Sequence, residues 1–308
     1  MKGLELSELF YRSYGDQMLK EIVPRLFDRA AVGLVGPGSE CYGFDDEISR
    51  DHDWGPSFCI WLEPEDFGRH GEELTKAYDA LPQTFMEFGP RRASPGEEGR
   101  TGVIDLNRFY KTYTGLDHPP STLEEWLRIP EQNLSLCTNG KVFHDPLGTF
   151  SAWREGLLEY YPEDVRLKKI ASRCLTAGQA GQYNVPRSLK RGDMFAFQYA
   201  LMKYCSDIIS LIFLLNRRYS PYFKWMHRGV KELDLLGQST FEVVQELVAG
   251  TGTRGKEELI EDFSGKIINR LREEGLTASE SDFLLDHAAE VHGKIEDGNL
   301  GQRLAVVG

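Results

Sequence analysis

Residues 30–62 read AAVGLVGPGSECYGFDDEISRDHDWGPSFCIWL, and this stretch decides the fold. It opens on an apolar run, Ala30 to Val35, closed by Gly36, which reads as a buried strand. It ends on Phe58-Cys59-Ile60-Trp61-Leu62, a second set of strand formers whose extended backbone is expected to reach back to Asp51. Between the two runs lie Gly38-Ser39 and, twelve residues after the serine, Asp51-His52-Asp53. A glycine-serine turn after a strand offers N–H groups and a hydroxyl to phosphate oxygens, and glycine lets the backbone come close. A helix starting near Glu40 would add its positive end. On an extended chain residues i and i+2 share a face, so Asp51 and Asp53 project together and His52 turns away. Paired carboxylates repel unless a cation sits between them, and hard oxygen ligands suit Mg2+ or Mn2+ rather than zinc. A phosphate-holding turn and a carboxylate pair on one loop suit a nucleoside triphosphate bound through its metal.

Outward from this stretch, apolar residues at near-helical spacing predict helix over residues 4–30, broken at Pro24. Pro64 to Leu81 reads as helix, with Glu65 and Asp66 in its first turn. Residues 89–102, GPRRASPGEEGRTG, read as a surface loop. Val103-Ile104-Asp105-Leu106 restarts a strand. If that strand lies beside the one carrying Asp51 and Asp53, Asp105 completes a triad, as a further metal ligand or as the base for an attacking hydroxyl. Leu123 to Leu127 reads as a short helix, and Asn139-Gly140 as a hairpin turn into Lys141-Val142-Phe143-His144. Beyond about residue 150 strand signals stop. Helices are expected over 162–177, 186–218 with an interruption at Gly192, 223–236, 239–249, 256–274 and 279–295. The class is α+β: a small mixed-sheet domain over 1–150, then an all-helical bundle over 151–308.

Gly38-Ser39, the gap, Asp51-x-Asp53 and a later strand aspartate together resemble the signature of the polymerase-β-like nucleotidyltransferase superfamily. The likeness extends to an uncharacterised bacterial branch carrying Asp-His-Asp-Trp-Gly-Pro, here Asp51 to Pro56. His52 departs from the pattern, where an apolar residue is usual. The resemblance implies a catalytic domain followed by a helical domain, with Mg2+ held on the triphosphate by Asp51 and Asp53 and assistance from Asp105. It implies transfer of a nucleoside monophosphate from ATP or another NTP to an acceptor hydroxyl, with release of pyrophosphate. In such enzymes a lysine or arginine of the helical domain reaches the triphosphate. Lys203 and Lys224 are the candidates here, beside Gly38 and Ser39 in nucleotide binding. Lys203 has a competing reading as the i,i+4 partner of Asp207, and Lys224 as a surface lysine. Arg91 and Arg92 could grip a phosphate or sit on a solvated loop. Trp54 is expected to shape the site floor, and Asp45, Asp46 and Glu47 to be loop surface.

The chain has 48 acidic against 36 basic residues, a formal charge of -12, which opposes bulk nucleic-acid binding and anionic membranes. A small-molecule acceptor is therefore favoured, and homodimer formation stays open. The five cysteines form no CxxC pair and read as free thiols of a reducing compartment. Met194 to Leu215 is strongly apolar, but Lys203 and Asp207 at its centre would each cost about 2.5–3.5 kcal/mol in a bilayer, so it reads as a core helix. The first residues hold no uninterrupted apolar segment, and the expected location is cytoplasmic. Two rivals to the enzyme are carried: a non-catalytic nucleotide-binding module, and an antitoxin-like module that binds a protein partner on the same fold.

Overall fold

The computed structural model describes residues 1–51, 53–91, 99–249 and 255–303. Four short strands build one mixed sheet: β1 (Ala31–Leu34), β2 (Cys59–Leu62), β3 (Gly102–Asp105) and β4 (Lys141–His144), in the order β3-β2-β1-β4. β1 runs antiparallel to β2 and β4, and β2 runs parallel to β3. β1 and β2 are buried along their whole length, which is why both are continuous apolar runs rather than alternating ones. The two faces of β2 pack separately. Phe58, Ile60 and Leu62 join a core with Phe10, Tyr11, Leu19 and Leu26 from the N-terminal helices and Leu74 from the Pro64–Asp79 helix. Trp61 points the other way, with its ring 4.0 Å from that of Phe150 and 5.5 Å from that of Phe109. Each such side chain contributes about 1.5–3 kcal/mol by leaving water.

The chain divides into two compact units: Met1–Ser121 with Ile129–Glu159, and Thr122–Arg128 with the chain from Tyr160 onward. The expected boundary at residue 150 thus moves to 159. The Thr149–Leu158 helix stays with the sheet because Phe150 stacks on Trp61 and accepts a hydrogen bond from Tyr110 Oη at 3.0 Å. The Leu123–Arg128 helix belongs to the second unit, where Trp126 meets Tyr161 edge to face at 5.8 Å.

In the first unit, helix runs Gly3–Phe10, passes one π-helical turn at Tyr11–Gly15, resumes at Asp16–Ile22 and breaks at Val23, which a following proline disfavours as helix. Two expectations fail. β2 starts only at Cys59, so Asp51 and Asp53 lie outside it. Asn139-Gly140 turns no hairpin; it ends the Glu131–Thr138 helix, which propensity did not signal, and feeds β4 into the sheet beside β1.

The second unit is built on Glu163–Gly178 packed against Met194–Leu215, and no strand occurs in it among the described residues. Gly192, at φ 69°, separates Val185–Arg191 from Met194–Leu215, whose first turn is capped by Asp193 accepting from the Ala196 amide at 3.0 Å. Among the described residues one helix, Met194–Leu215, is long and apolar enough to cross a membrane, and 72% of its most apolar window is buried in protein. Residues 279–295 hold less helix than expected, a turn at Leu284–Asp286 and then His287–His292. All five cysteines are buried free thiols.

Candidate functional site

The end of β1 runs into a backbone that only glycine tolerates. Gly36 has φ 119° and Gly38 φ 135°. A Cβ on Gly38 would stand 2.6 Å from both carboxylate oxygens of Glu40. The chain then makes one 3-10 turn, Glu40–Tyr42, and leaves it through Gly43 at φ 70°. The helix expected at Glu40 is therefore a single turn, too short to carry a helix dipole. Ser39 precedes it half-buried, and its hydroxyl makes no capping bond to the turn.

Asn139, 103 residues away, fixes this turn. Its Oδ1 accepts from the Gly36 amide at 2.9 Å and its Nδ2 donates to the Gly36 carbonyl at 2.8 Å. The next residue adds a bond, Gly140 N–H to Cys41 O at 2.8 Å, and a Cβ there would lie 2.0 Å from the Leu34 carbonyl. The sequence marks Asn139-Gly140 only as a turn; its partner is set by β4 pairing with β1.

Beneath the turn lies a buried ion pair. Arg91 Nη1 donates to Glu40 Oε1 at 2.6 Å, with side chains 7% and 2% exposed. The pair is one-armed: among the described residues Arg91 Nη2 and Glu40 Oε2 are both buried without a hydrogen-bond partner. Burial pushes the Glu40 carboxyl up, against the pull of Arg91. Arg91 is thus neither solvated nor free, and Arg92 lies outside the described residues. Gly55, at φ 145°, lets the backbone pass Arg91; a Cβ there would sit 2.8 Å from the Arg91 nitrogen.

Asp51 and Asp53 follow the 3-10 turn Ile48–Arg50. Asp51 is exposed with helical dihedrals, and Asp53 is half-buried in the left-handed region at φ 52°. The extended geometry that was to point both to one face is absent, and His52 lies outside the described residues. Trp54 is buried: its Nε1 donates to Asp45 Oδ2 at 3.0 Å, and Arg50 lies over its ring at 4.9 Å. Asp45 is accordingly not loop surface. It is buried and also accepts from the Gly3 amide at 2.8 Å; Asp46 and Glu47 are exposed.

Strand direction decides Asp105. In the parallel register Gly102 faces Cys59 and Asp105 faces Leu62. Asp51 and Asp53 precede the start of β2, whereas Asp105 ends β3, about 10 Å further along three strand steps. There Asp105 caps the Leu106–Thr114 helix, accepting from the Arg108 amide at 2.7 Å. Asp105 does not join the other two. The residue at the entry of β3 on their side is Arg100, with Nη1 3.7 Å from Asp53 Oδ2. Among the described residues no three His, Cys, Asp or Glu side chains are grouped to hold a metal ion. Mg2+ on a nucleotide needs only one or two carboxylates, with phosphate and water filling its shell, a donor requirement that Asp51 and Asp53 meet by residue type and not as an all-protein cage.

Lys203 and Lys224 belong to the second unit. Lys203 Nζ is 2.6 Å from each carboxylate oxygen of Asp207, which is buried and has Arg173 Nη1 at 3.7 Å. Lys224, exposed on the Phe223–Val230 helix, lies 5.2 Å over the Trp225 ring.

A family model described as a domain of unknown function, DUF4037, matches residues 126–226, a segment beyond the Gly38 turn and the Asp51–Asp53 loop. No curated protein and no solved structure matches the chain.

Proposed function

We propose that the first unit binds a nucleoside triphosphate and transfers its nucleoside monophosphate to an acceptor hydroxyl. The observation that carries this reading is the β1–β2 connection. It starts at a glycine backbone open to close approach, tied by Asn139, and ends at two carboxylates with Arg100 beside one of them. The matched family model is associated with nucleotidyltransferase-like proteins, which supports the reading.

In this scheme the Gly38-Ser39 backbone and the Ser39 hydroxyl hold phosphate oxygens. Asp51 and Asp53 would hold Mg2+ or Mn2+, which when bound offsets the triphosphate's charge. Arg100 offers a cation to the phosphates as the Asp53 carboxylate changes partner. The acceptor hydroxyl oxygen attacks the α-phosphorus in line and gives up its proton to water, while the bond from the α-phosphorus to the bridging oxygen breaks and pyrophosphate leaves. Asp105 has no part, since its carboxylate serves the helix cap at the far end of the strand. The nucleotide in this scheme is ATP or another NTP, and a small-molecule acceptor is favoured.

The test is thermal denaturation with ATP, GTP, CTP and UTP, with and without Mg2+, on wild type and on Asp51→Asn with Asp53→Asn. Ligand at about 100 times its dissociation constant stabilises by about 2.7 kcal/mol. A Mg2+-dependent shift, lost in the double variant, is expected; no shift with any nucleotide refutes nucleotide binding. A second reading, nucleotide binding without transfer, is favoured by the displacement of Asp105. It predicts the same shift with no pyrophosphate release across a panel of hydroxyl acceptors.

A further inference from the structure

Where Val185–Arg191 gives way to Met194–Leu215, the surface of the second unit changes character. The latter helix is buried along most of its length, yet its first turns expose Met194, Phe195, Tyr199 and Met202, with Phe195 82% and Tyr199 68% exposed. Positions 195, 199 and 202 share one helix face. The rings of Phe195 and Tyr199 are near-parallel, 26° apart with centroids at 6.4 Å. One helix earlier, exposed Tyr183 carries the Arg187 guanidinium 4.7 Å above its ring. Arg187, Lys190 and Arg191 are all exposed, and among the described residues none of them has an ion-pair partner. Elsewhere cations such as Arg12, Lys20, Arg29 and Lys141 are each matched to a carboxylate.

Three cations without ion-pair partners among the described residues lie on the helix that leads into the exposed aromatic turn, on a chain of charge -12, with Asp193 the one carboxylate in the sequence between the two helices. We propose that this face binds single-stranded nucleic acid. Phosphates meet the cations and release counterions, while unstacked bases lie on Phe195 and Tyr199, a contact worth about 1–3 kcal/mol per base. Repulsion from charges further than about 8–10 Å is screened at ordinary salt, so the nearby groups, three cations against Asp193, govern contact. A duplex keeps its base faces stacked inside and cannot offer them to the two rings. A second copy of the chain fits less well, since a twofold contact brings the patch, and so its cations, onto itself. This inference stands independently of the transferase reading.

The test is fluorescence anisotropy with labelled oligouridylate and oligothymidylate on the full chain, between about 50 and 200 mM salt. Single strands are expected to bind and a hairpin duplex to compete poorly. Three phosphate contacts give a log–log salt slope of about -2. Arg187→Glu with Lys190→Glu and Arg191→Glu should weaken binding more than about tenfold and flatten the slope. Phe195→Ser with Tyr199→Ser should weaken it by about tenfold or more and leave the slope. These side chains are exposed, so both variants should keep the wild-type melting temperature. No binding at the lowest salt, or unchanged binding in either variant, overturns the proposal. Binding to phosphatidylserine vesicles without oligonucleotide binding overturns it for a membrane surface. A dimer dissolved by Phe195→Ser with Tyr199→Ser, again without oligonucleotide binding, overturns it for self-association.

Discussion

At the scale of single residues, the site depends on backbone that other side chains cannot adopt. Gly38→Ala places a methyl against the Glu40 carboxylate at φ 135°. A non-glycine residue there costs on the order of 1–3 kcal/mol, and the turn must open to relieve it. Weaker triphosphate binding together with a lower melting temperature is expected, read by the denaturation assay. Asn139→Ala removes both bonds to Gly36. At about 1 kcal/mol per bond it should destabilise less than a core truncation yet loosen the same turn. Gly38 was legible in the sequence because a glycine-serine pair after an apolar run has a local meaning. Asn139, Glu40 and Arg91 were not, because each takes its role from a partner far along the chain.

At the scale of elements, the direction of a strand outweighs the identity of a residue. Val103-Ile104-Asp105 was readable as a strand beside β2, but whether it ran parallel or antiparallel was not, and that alone moves Asp105 to the far end. Asp105→Ala should therefore cost about 0.5–2 kcal/mol as a lost helix cap and leave nucleotide affinity unchanged. A third ligand or base would instead abolish turnover. The helices were the most legible elements: Pro64–Asp79, Glu163–Gly178 and Met194–Leu215 lie close to where their periodicity predicts them. The i,i+4 spacing of Lys203 and Asp207 also foretold their pairing. Lys203→Met strips a buried carboxylate of its nearest cation and should destabilise by about 1–3 kcal/mol. Titration with ATP should show no change in that variant, because the lysine is already committed within its own helix.

At the scale of the whole molecule, the acidic balance sets the response to pH. Burial pushes the Glu163 carboxyl up, but Arg217 and Arg166 together hold it below its ordinary range. Lys141 and Arg12 do the same for Glu8 against a smaller burial effect. A carboxylate held low in the folded state stabilises fully above its unfolded value, about 4.3, and loses that contribution as pH falls through the folded one. Glu40, held high, has the opposite sign: its charge weighs on the fold above that range and is relieved on protonation. The melting temperature should thus fall below about pH 4.3, and Glu163→Gln should flatten that fall. A rise in stability there would contradict the assignment. Two units were legible from the loss of strand signals, but not the exchange of Leu123–Arg128, which rests on Trp126 meeting Tyr161. The tether of Gly36 also bears on how the molecule ages. An asparagine followed by glycine is prone to cyclise and lose ammonia when the glycine nitrogen reaches the side-chain carbonyl, and such asparagines are among the thermolabile residues. Here that carboxamide is held at both ends by Gly36, and the Gly140 N–H is occupied by Cys41 O. The folded chain therefore shelters its own weakest chemical link. Deamidation at position 139 would act as a clock that runs only in unfolded molecules and marks each with a damaged turn.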